Sequence, residues 1–316
     1  MAASKLPLRT GARPPLLTRL RRDFARHKWV YLMLLPVVAY FAVFEYGPLY
    51  GLQIAFKDYA PLRGIWDSPW VGFQWFQDFF HSFYFQRVVV NTLMINVWDL
   101  VFGFPAPIIL ALLLNEVTSE RFKRFVQTIT YLPHFISVVV VAGLTLDVFA
   151  RSGVVNDIIA AFGGERIGFF GDPAYFRSLY VGSGIWQSVG WGSIIYLAAL
   201  LSINPTLYEA AKVDGANRWQ QMLHVTLPGL VPIVMTLLIL RLGQMTTVGF
   251  EKIILLYNPS VYETADVIST TVYRRGLLEA NYSYGAAVGL VNAVVSLVLL
   301  LLANRLSRRF TGRGLW

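Results

Sequence analysis

The chain has 316 residues, of which 56% are hydrophobic and only 14% charged, and its formal net charge is +9. Soluble domains carry about 25% charged residues, so this composition predicts an integral membrane protein. The absence of cysteine excludes disulfides, thiolate metal sites and cysteine nucleophiles. In a lipid-embedded chain the positions of the basic residues matter more than their total, and we expect no nucleic-acid partner.

Apolar runs predict six membrane-spanning helices, because about 20 helical residues cross a bilayer. In chain order the predicted spans are 29–52, 88–114, 125–149, 179–201, 228–248 and 284–304. The first run is too long for a cleavable signal peptide, and Gly47-Pro48 follows it instead of a small-residue cleavage site. The predicted fold class is therefore all-α integral membrane.

Lysine and arginine give the orientation of these spans. They concentrate by about two to one in 1–28, 115–124, 202–227 and 305–316 over the remaining loops, as expected for cytoplasmic segments. We therefore predict a basic cytoplasmic N-terminal segment (1–28), a membrane domain (29–304) and a cytoplasmic C-terminal tail (305–316). This predicts a multi-pass membrane protein, in contact with lipid, with both termini in the cytoplasm.

A polar, helix-prone stretch, EAAKVDGANRWQQMLHVTLP at 209–228, separates the fourth and fifth predicted spans. Asn204-Pro205 marks a helix start, Gly215 interrupts the helix formers, and a second helical run follows at 216–224. The sequence thus predicts a helix, a glycine bend and a second helix across the cytoplasmic face. Either a partner protein seats on the small side chains of this segment, or the segment is an ordinary interfacial connector.

The spacing within this stretch resembles the EAA motif of bacterial ABC-importer permeases. That motif is Glu-Ala-Ala, three residues, Gly, nine residues, Ile, one residue and Leu-Pro. Here Glu209-Ala210-Ala211, Gly215 and Leu227-Pro228 match, and Val225 replaces the usual isoleucine. Four further segments resemble permeases for complex oligosaccharides, which lie beside the maltose type and include alginate-oligosaccharide permeases. These segments are 103–116, 122–137, 190–216 and 258–277.

This resemblance implies a type I ABC-importer permease of the bacterial inner membrane. Its segment 205–228 would form a cytoplasmic coupling helix seated in a groove of an ATPase subunit. The residues that it assigns to coupling are Glu209, Ala210, Ala211, Asp214, Gly215, Leu227 and Pro228. The implied partners are a second permease, two cytoplasmic ATPase subunits and an extracytoplasmic solute-binding protein that delivers an oligosaccharide. ATP and Mg²⁺ would be bound by the ATPase subunits and not by this chain.

The sequence itself contains no motif for catalysis or nucleotide binding. None of the six lysines precedes serine or threonine, so there is no phosphate-binding G-x-x-x-x-G-K-[ST] loop. The four histidines are far apart in sequence and no G-x-S-x-G elbow is present, which argues against a metal site or a hydrolase. Transport energy must therefore come from another subunit or from an ion gradient, and we expect no enzyme, no catalytic residue and no metal.

Polar and aromatic side chains within the spans are candidates for the substrate path. They are Arg241 and Gln244 in span five, Trp186, Gln187 and Trp191 in span four, and Asn292 in span six. Arg241 either attracts a sugar or pairs with Asp99 or Asp147 to hold helices together. The tryptophans, Gln187 and Asn292 either bind sugar or pack within the membrane.

Two other transport functions stay open at this stage. A permease for a peptide or amino acid would use the same coupling segment with a different binding protein. A gradient-driven secondary transporter would show inverted repeats and buried carboxylate relays, whereas no repeat is visible and the carboxylates in the spans are scattered.

Overall fold

A computed structural model describes residues 26–311. The predicted basic segment 1–28 therefore lies outside the described residues except for 26–28, as do 312–316 of the predicted tail. The described part is helical and contains one isolated bridge, between Lys57 and Trp70, but no strand. The chain divides into two units, Met1–Gln53 and Ile54–Trp316.

Fourteen helical elements are labelled α1 to α14 among the described residues. They are α1 (Lys28–Phe56), α2 (Gly64–Asp67), α3 (Gln74–Phe80), α4 (Phe85–Glu116), α5 (Glu120–Phe135), α6 (Val138–Val148), α7 (Val154–Ala161), α8 (Pro173–Leu201), α9 (Pro205–Val213), α10 (Arg218–Gly243), α11 (Phe250–Leu256), α12 (Tyr262–Ala265), α13 (Ile268–Thr271) and α14 (Tyr282–Thr311). A 3₁₀ turn at Pro259–Val261 precedes α12, and a π-helical stretch at Val272–Leu278 extends α13.

Five of these helices are long and apolar enough to cross a membrane: α1, α4, α8, α10 and the Tyr282–Arg309 part of α14. The predicted span 125–149 is not one straight helix, because α5 and α6 are bent by 105° at a short break. Pro133 lies in a 3₁₀ turn at the end of α5, and Ser137 caps a new helix by accepting a hydrogen bond from the Val140 N–H group. Counting this pair as one broken crossing gives six.

The fourth crossing, α8, begins earlier than predicted. Pro173 occupies its first turn, and the Asp172 carboxylate accepts a hydrogen bond from the Ala174 N–H group at 2.9 Å. Sequence hydropathy missed this start because Arg177 and Ser178 interrupt the apolar pattern of its first turns, whereas the capping residues mark it.

Helix α8 runs through the packed centre of the second unit. Near its C-terminal end Tyr196 and Leu200 pack against Ala111 of α4 and Leu230 of α10. Near its N-terminal end Phe176 belongs to a second buried cluster, which is built with α4, α6, α11 and the segment after α11. One helix therefore connects two cores, and the space between the cores holds the polar cavities described below.

Gly190 of α8 is the point where α8 and α5 touch through their backbones. A Cβ atom at this position would overlap the carbonyl oxygen and carbon of Thr130. We expect Gly190→Ala to lower the free energy of unfolding by about 1–3 kcal/mol, the usual range for overpacking. Thermal unfolding of the purified protein in detergent measures this loss.

The matched control is Gly182→Ala on the same helix, where no atom lies within 4 Å of the added Cβ. This variant should melt at or above the temperature of the wild type, because alanine favours helix over glycine. Equal melting temperatures for the two variants would contradict close backbone packing at Gly190.

Candidate coupling segment and translocation cavities

The polar stretch between the fourth and fifth spans begins as a well-capped helix. The Asn204 side chain accepts a hydrogen bond from the Thr206 N–H group at 3.1 Å, and Pro205 occupies the first turn of α9. This is the predicted start, and the physical cause is that both residues suit a helix N-terminus.

The end of α9 is a Schellman motif that requires glycine. The Gly215 N–H group donates to the Lys212 carbonyl at 3.1 Å, and the Ala216 N–H group donates to the Ala211 carbonyl at 2.8 Å. Gly215 has a φ of +79°, in the left-handed region that favours glycine. The predicted glycine bend therefore exists, and it fixes the direction in which the chain leaves α9.

After the bend the structure differs from the predicted second short helix. Asn217 and Gln220 form a reciprocal capping box that starts α10 at Arg218. α10 then continues to Gly243, through a π-helical turn at Met222–Thr226, as one candidate span. The predicted entry to span five at Leu227-Pro228 therefore lies inside a continuous helix. Proline is tolerated there because α-helical geometry resumes at Leu227 after the π turn, and Pro228 occupies the first turn of that α-helical part.

A side-chain hydrogen bond connects α9 to this continuous helix. The hydroxyl of Tyr208 lies 3.0 Å from the hydroxyl of Thr226, which is buried. Displacing α9 must therefore strain a contact at the base of α10. This arrangement can transmit movement of the short helix to a membrane-spanning one.

One side of α9 carries exposed apolar side chains. Leu207 is 52% exposed and Val213 is 88% exposed, and Ala210 lies between them at a spacing of three residues on each side. Residues at this spacing share one helix face. We call Leu207, Ala210 and Val213 the α9 stripe.

The other predicted coupling residues lie around this stripe. Glu209, Asp214, Gly215 and Pro228 are exposed, whereas Ala211 and Leu227 are partly buried. The exposed members surround the α9 stripe with two carboxylates, and the partly buried members pack inward.

Two cavities with polar and charged side chains in their linings lie along α8 between α4 and α10. The distal cavity, of about 270 Å³, lies toward the N-terminal end of α8 and also touches α11. The proximal cavity, of about 370 Å³, reaches Tyr196 and Leu237, which belong to the core cluster on the α9 side. The names distal and proximal refer to the distance of each cavity from α9.

Arg241 lines both cavities and forms an ion pair with Asp99 of α4. One of the two pairings considered from the sequence, with Asp99, is therefore present, and the residue faces open space at the same time. The side chains of Arg241 and Asp99 are 36% and 27% exposed. The helix-pairing and cavity-facing interpretations are thus compatible.

The remaining path candidates separate into different places. Gln187 lines the distal cavity and donates a hydrogen bond to the Ile136 carbonyl at 3.0 Å, and Gln244 lines the proximal cavity. Trp186 lines a separate, mostly apolar cavity of about 510 Å³ between α6 and α8. Gln187 and Gln244 therefore each share one cavity with Arg241, and Trp186 lies outside both.

Trp191 and Asn292 also lie away from the polar cavities. The Trp191 ring stacks on His134, with centroids 4.6 Å apart and an interplanar angle of 3°. Asn292 borders an apolar cavity of about 130 Å³ beside Phe79 and Val288.

Lys252 is a cavity residue that sequence reasoning missed. Its ammonium donates to the Tyr180 carbonyl at 2.8 Å and lies 4.8 Å from the Tyr180 ring centroid, and only 7% of the residue is exposed. Burial lowers the pKa of Lys252 to about 8. The sequence signal was a lysine opening the apolar run 253–256 in a segment assigned to a loop.

Residues 103–312 match the family model for the inner membrane component of binding-protein-dependent transport systems. The chain belongs to this family. It is thus an integral membrane component of a transport system, and the resemblance to ABC-importer permeases of the carbohydrate group is confirmed.

Similar proteins cover nearly the whole of this transport component. LplB of Bacillus subtilis (strain 168) is 45% identical over 92% of this chain and 92% of its own length. The polygalacturonan/rhamnogalacturonan transport system permease protein YteP of the same organism is 44% identical over 94% and 93%.

A solved structure matches the fold over the same length. It is the crystal structure of a bacterial ABC transporter involved in the import of the acidic polysaccharide alginate. One of its chains is 50% identical, with a TM-score of 0.87 over 93% of this chain and 99% of that chain. A second crystal structure of a bacterial alginate ABC transporter, in complex with an alginate pentasaccharide-bound periplasmic protein, matches equally with a TM-score of 0.87. The predicted all-α permease fold is confirmed.

Proposed function

We propose that this chain is the permease subunit of an ATP-driven importer that moves oligosaccharides into the cytoplasm. The observation that carries the proposal is the capped, glycine-terminated helix α9. It presents the exposed α9 stripe and is hydrogen-bonded to α10 through Tyr208 and Thr226. A helix such as α9, which lies outside the spans and exposes apolar side chains beside polar ones, suits a protein partner.

In this proposal α9 docks in a groove of a cytoplasmic ATPase subunit. ATP-driven closure of two ATPase subunits moves α9, and α10 carries that movement to Arg241 and the two cavities. A second permease completes the path, and an external solute-binding protein delivers the sugar. ATP and Mg²⁺ belong to the ATPase subunits, so this chain needs no cofactor. The α9 side and both termini face the cytoplasm.

The cavities support a hydroxyl-rich and anionic cargo. Arg241 and Lys252 place two cationic groups at the distal cavity against the single carboxylate of Asp99, and Gln187 adds an amide. Two of the similar transporters are named for acidic polysaccharides, alginate and polygalacturonan. We therefore propose that uronic-acid oligosaccharides are among the substrates.

Reconstitution into liposomes tests the function. Vesicles that contain this chain, its partner permease and the ATPase subunits should accumulate a labelled uronate trisaccharide. Accumulation should occur only with internal ATP, Mg²⁺ and the external binding protein. Uptake that persists without the ATPase subunits would instead support a gradient-driven transporter, and a peptide-specific binding protein would contradict the sugar assignment.

Cysteine crosslinking tests the docking of α9, because the chain has no native cysteine. Val213→Cys should crosslink to an ATPase subunit in the assembled complex, since Val213 of the α9 stripe is 88% exposed. Ala174→Cys, at the opposite end of α8 and also exposed, is the matched control and should give no such product. Absence of the Val213 crosslink in an ATP-hydrolysing complex would contradict the docking role.

A further inference from the structure

The distal and proximal cavities meet at one level of the bundle. Along α4 the distal cavity is lined by residues between 95 and 99, and the proximal one by residues between 99 and 107. Along α8 the corresponding stretches are 180–188 and 185–196. The residues common to both linings are Asp99, Ser188 and Arg241. The ion pair therefore lies where one cavity ends and the other begins.

Local structure places the Asp99 carboxylate across this level. Asp99 opens a π-helical turn that ends at Gly103, and a Cβ atom at Gly103 would overlap the Asp99 carboxyl group. Glycine thus makes room for the carboxylate to lie over the following turn and reach Arg241. Since about a third of each side chain is exposed, the pair faces the cavities and is accessible to a solute within them.

We propose that the Asp99–Arg241 pair is an exchangeable partition, in which a substrate carboxylate replaces Asp99 on the Arg241 guanidinium and connects the two cavities. This inference rests on the proposed function and adds the recognition step. A guanidinium binds one carboxylate as well as another, so the exchange replaces one charge-assisted pair with an equivalent one. A neutral sugar offers only hydroxyl groups and leaves the resident pair closed.

Lys252 fits the same step on the distal side. Its buried ammonium lines the distal cavity but not the proximal one, and its hydrogen bond is to a carbonyl and not to a carboxylate. An entering anion can therefore approach Lys252 first and Arg241 second. For the hydroxyl groups of the same sugar, Gln187 has a second amide hydrogen to donate. Ser188 can accept, because its own hydroxyl donates to the Gly184 carbonyl at 2.7 Å.

The test compares an acidic and a neutral cargo of equal length in the complete reconstituted importer. The cargoes are a uronate trisaccharide and its methyl-esterified form. Arg241→Gln should reduce the uptake efficiency of the acidic cargo by about tenfold, the size of one lost charge-assisted hydrogen bond. It should change the neutral cargo by less than about twofold, because the glutamine amide can still donate to Asp99 and keep the partition closed. Asp99→Asn, which keeps the side-chain shape but removes the resident charge, should increase uptake of the neutral cargo.

The opposite responses distinguish a partition from a helix clamp. A clamp predicts that both variants lose uptake of both cargoes in parallel with a lower melting temperature, and that result would overturn the inference. If Arg241→Gln fails to fold, Arg241→Lys keeps the charge without the forked geometry and should still weaken the acidic cargo selectively. Equal effects of Arg241→Lys on both cargoes would also overturn it.

A control variant and the wild type distinguish failure of the partition from failure of the proposed function. Arg166→Gln breaks the exposed pair with Asp157 on the protein surface and should leave both uptake rates unchanged. Wild-type vesicles that take up neither cargo with ATP and binding protein would refute the proposed function itself. Active wild-type vesicles with unselective variants would refute only the partition.

Discussion

Gly215→Asp is expected to abolish ATP-driven transport while the chain still inserts into the membrane. Gly215 has a φ of +79°, and its N–H group and that of Ala216 close α9 with one hydrogen bond each to its last turn. A residue with a side chain pays roughly 1–2 kcal/mol to adopt this conformation. The bend therefore relaxes toward other geometries, α9 turns away from its direction, and a new charge appears beside the α9 stripe. Substrate-stimulated ATPase activity and vesicle uptake measure the loss, and membrane fractionation measures insertion.

A matched control exists because Gly163, in the loop between α7 and α8, has nearly the same backbone. Its φ is +83°, and like Gly215 it has no atom within 4 Å of a built Cβ. Gly163→Asp carries the same backbone cost away from α9 and should retain transport. Gly215→Asn should retain part of the activity, because asparagine adopts the left-handed region about as readily as aspartate but adds no charge beside the α9 stripe. Normal transport by Gly215→Asp, or its loss in Gly163→Asp, would argue against a special role of the bend.

The start and the end of α9 were predictable because their determinants are local. Asn204-Pro205 starts α9 and Gly215 ends it, and each residue acts on backbone groups a few positions away. The same logic applies to the broken third span, where Pro133 is visible in the sequence. Hydropathy alone hid the break, since both of its halves can be joined into one apolar run.

Which residues line each cavity was less predictable, because this depends on the rotation of each helix about its axis and on packing between segments far apart in the sequence. Trp186 and Gln187 are neighbours in the sequence, but successive helical residues point about 100° apart. They consequently line different cavities. Lys252 arrives from a segment assigned to an external loop, and only the folded chain shows that it reaches Tyr180 of α8. Periodicity gives relative directions along one helix but not the neighbour that each direction meets.

Asp266→Ala is expected to be the most destabilising substitution outside the spans. The carboxylate of Asp266 is fully buried and pairs with Arg87 of α4 at 2.8 Å and with Arg274 of the π-helical stretch, also at 2.8 Å. The Thr270 hydroxyl donates to it as well, at 2.8 Å. Removing the carboxylate leaves two guanidinium groups close together without their anion. Breaking a buried pair in this way costs about 3–5 kcal/mol, and the partial exposure of both arginines favours the lower end of that range.

Hydrogen bonds to the backbone around Asp266 extend the expected destabilisation beyond the ion pairs. Asn91 of α4 donates to the carbonyls of Glu263 and Asp266, at 2.8 and 3.0 Å, and Arg177 of α8 donates to Asn91 at 2.9 Å. The segment after α11 is therefore fastened to two membrane helices through one polar network. We expect its helical turns to loosen together, so hydrogen exchange should rise across α12 and α13 and not at position 266 alone.

Asp157→Ala provides the comparison, because its pair with Arg166 is exposed. The two side chains are 59% and 42% exposed, and such surface pairs contribute about 0–1 kcal/mol. Melting in detergent should therefore fall strongly for Asp266→Ala and hardly at all for Asp157→Ala. Replacing both Arg87 and Arg274 with methionine in the Asp266→Ala background should recover part of the loss, since no unpaired charge then remains. Similar melting of the two single variants would show that the buried carboxylate contributes no more than a surface one.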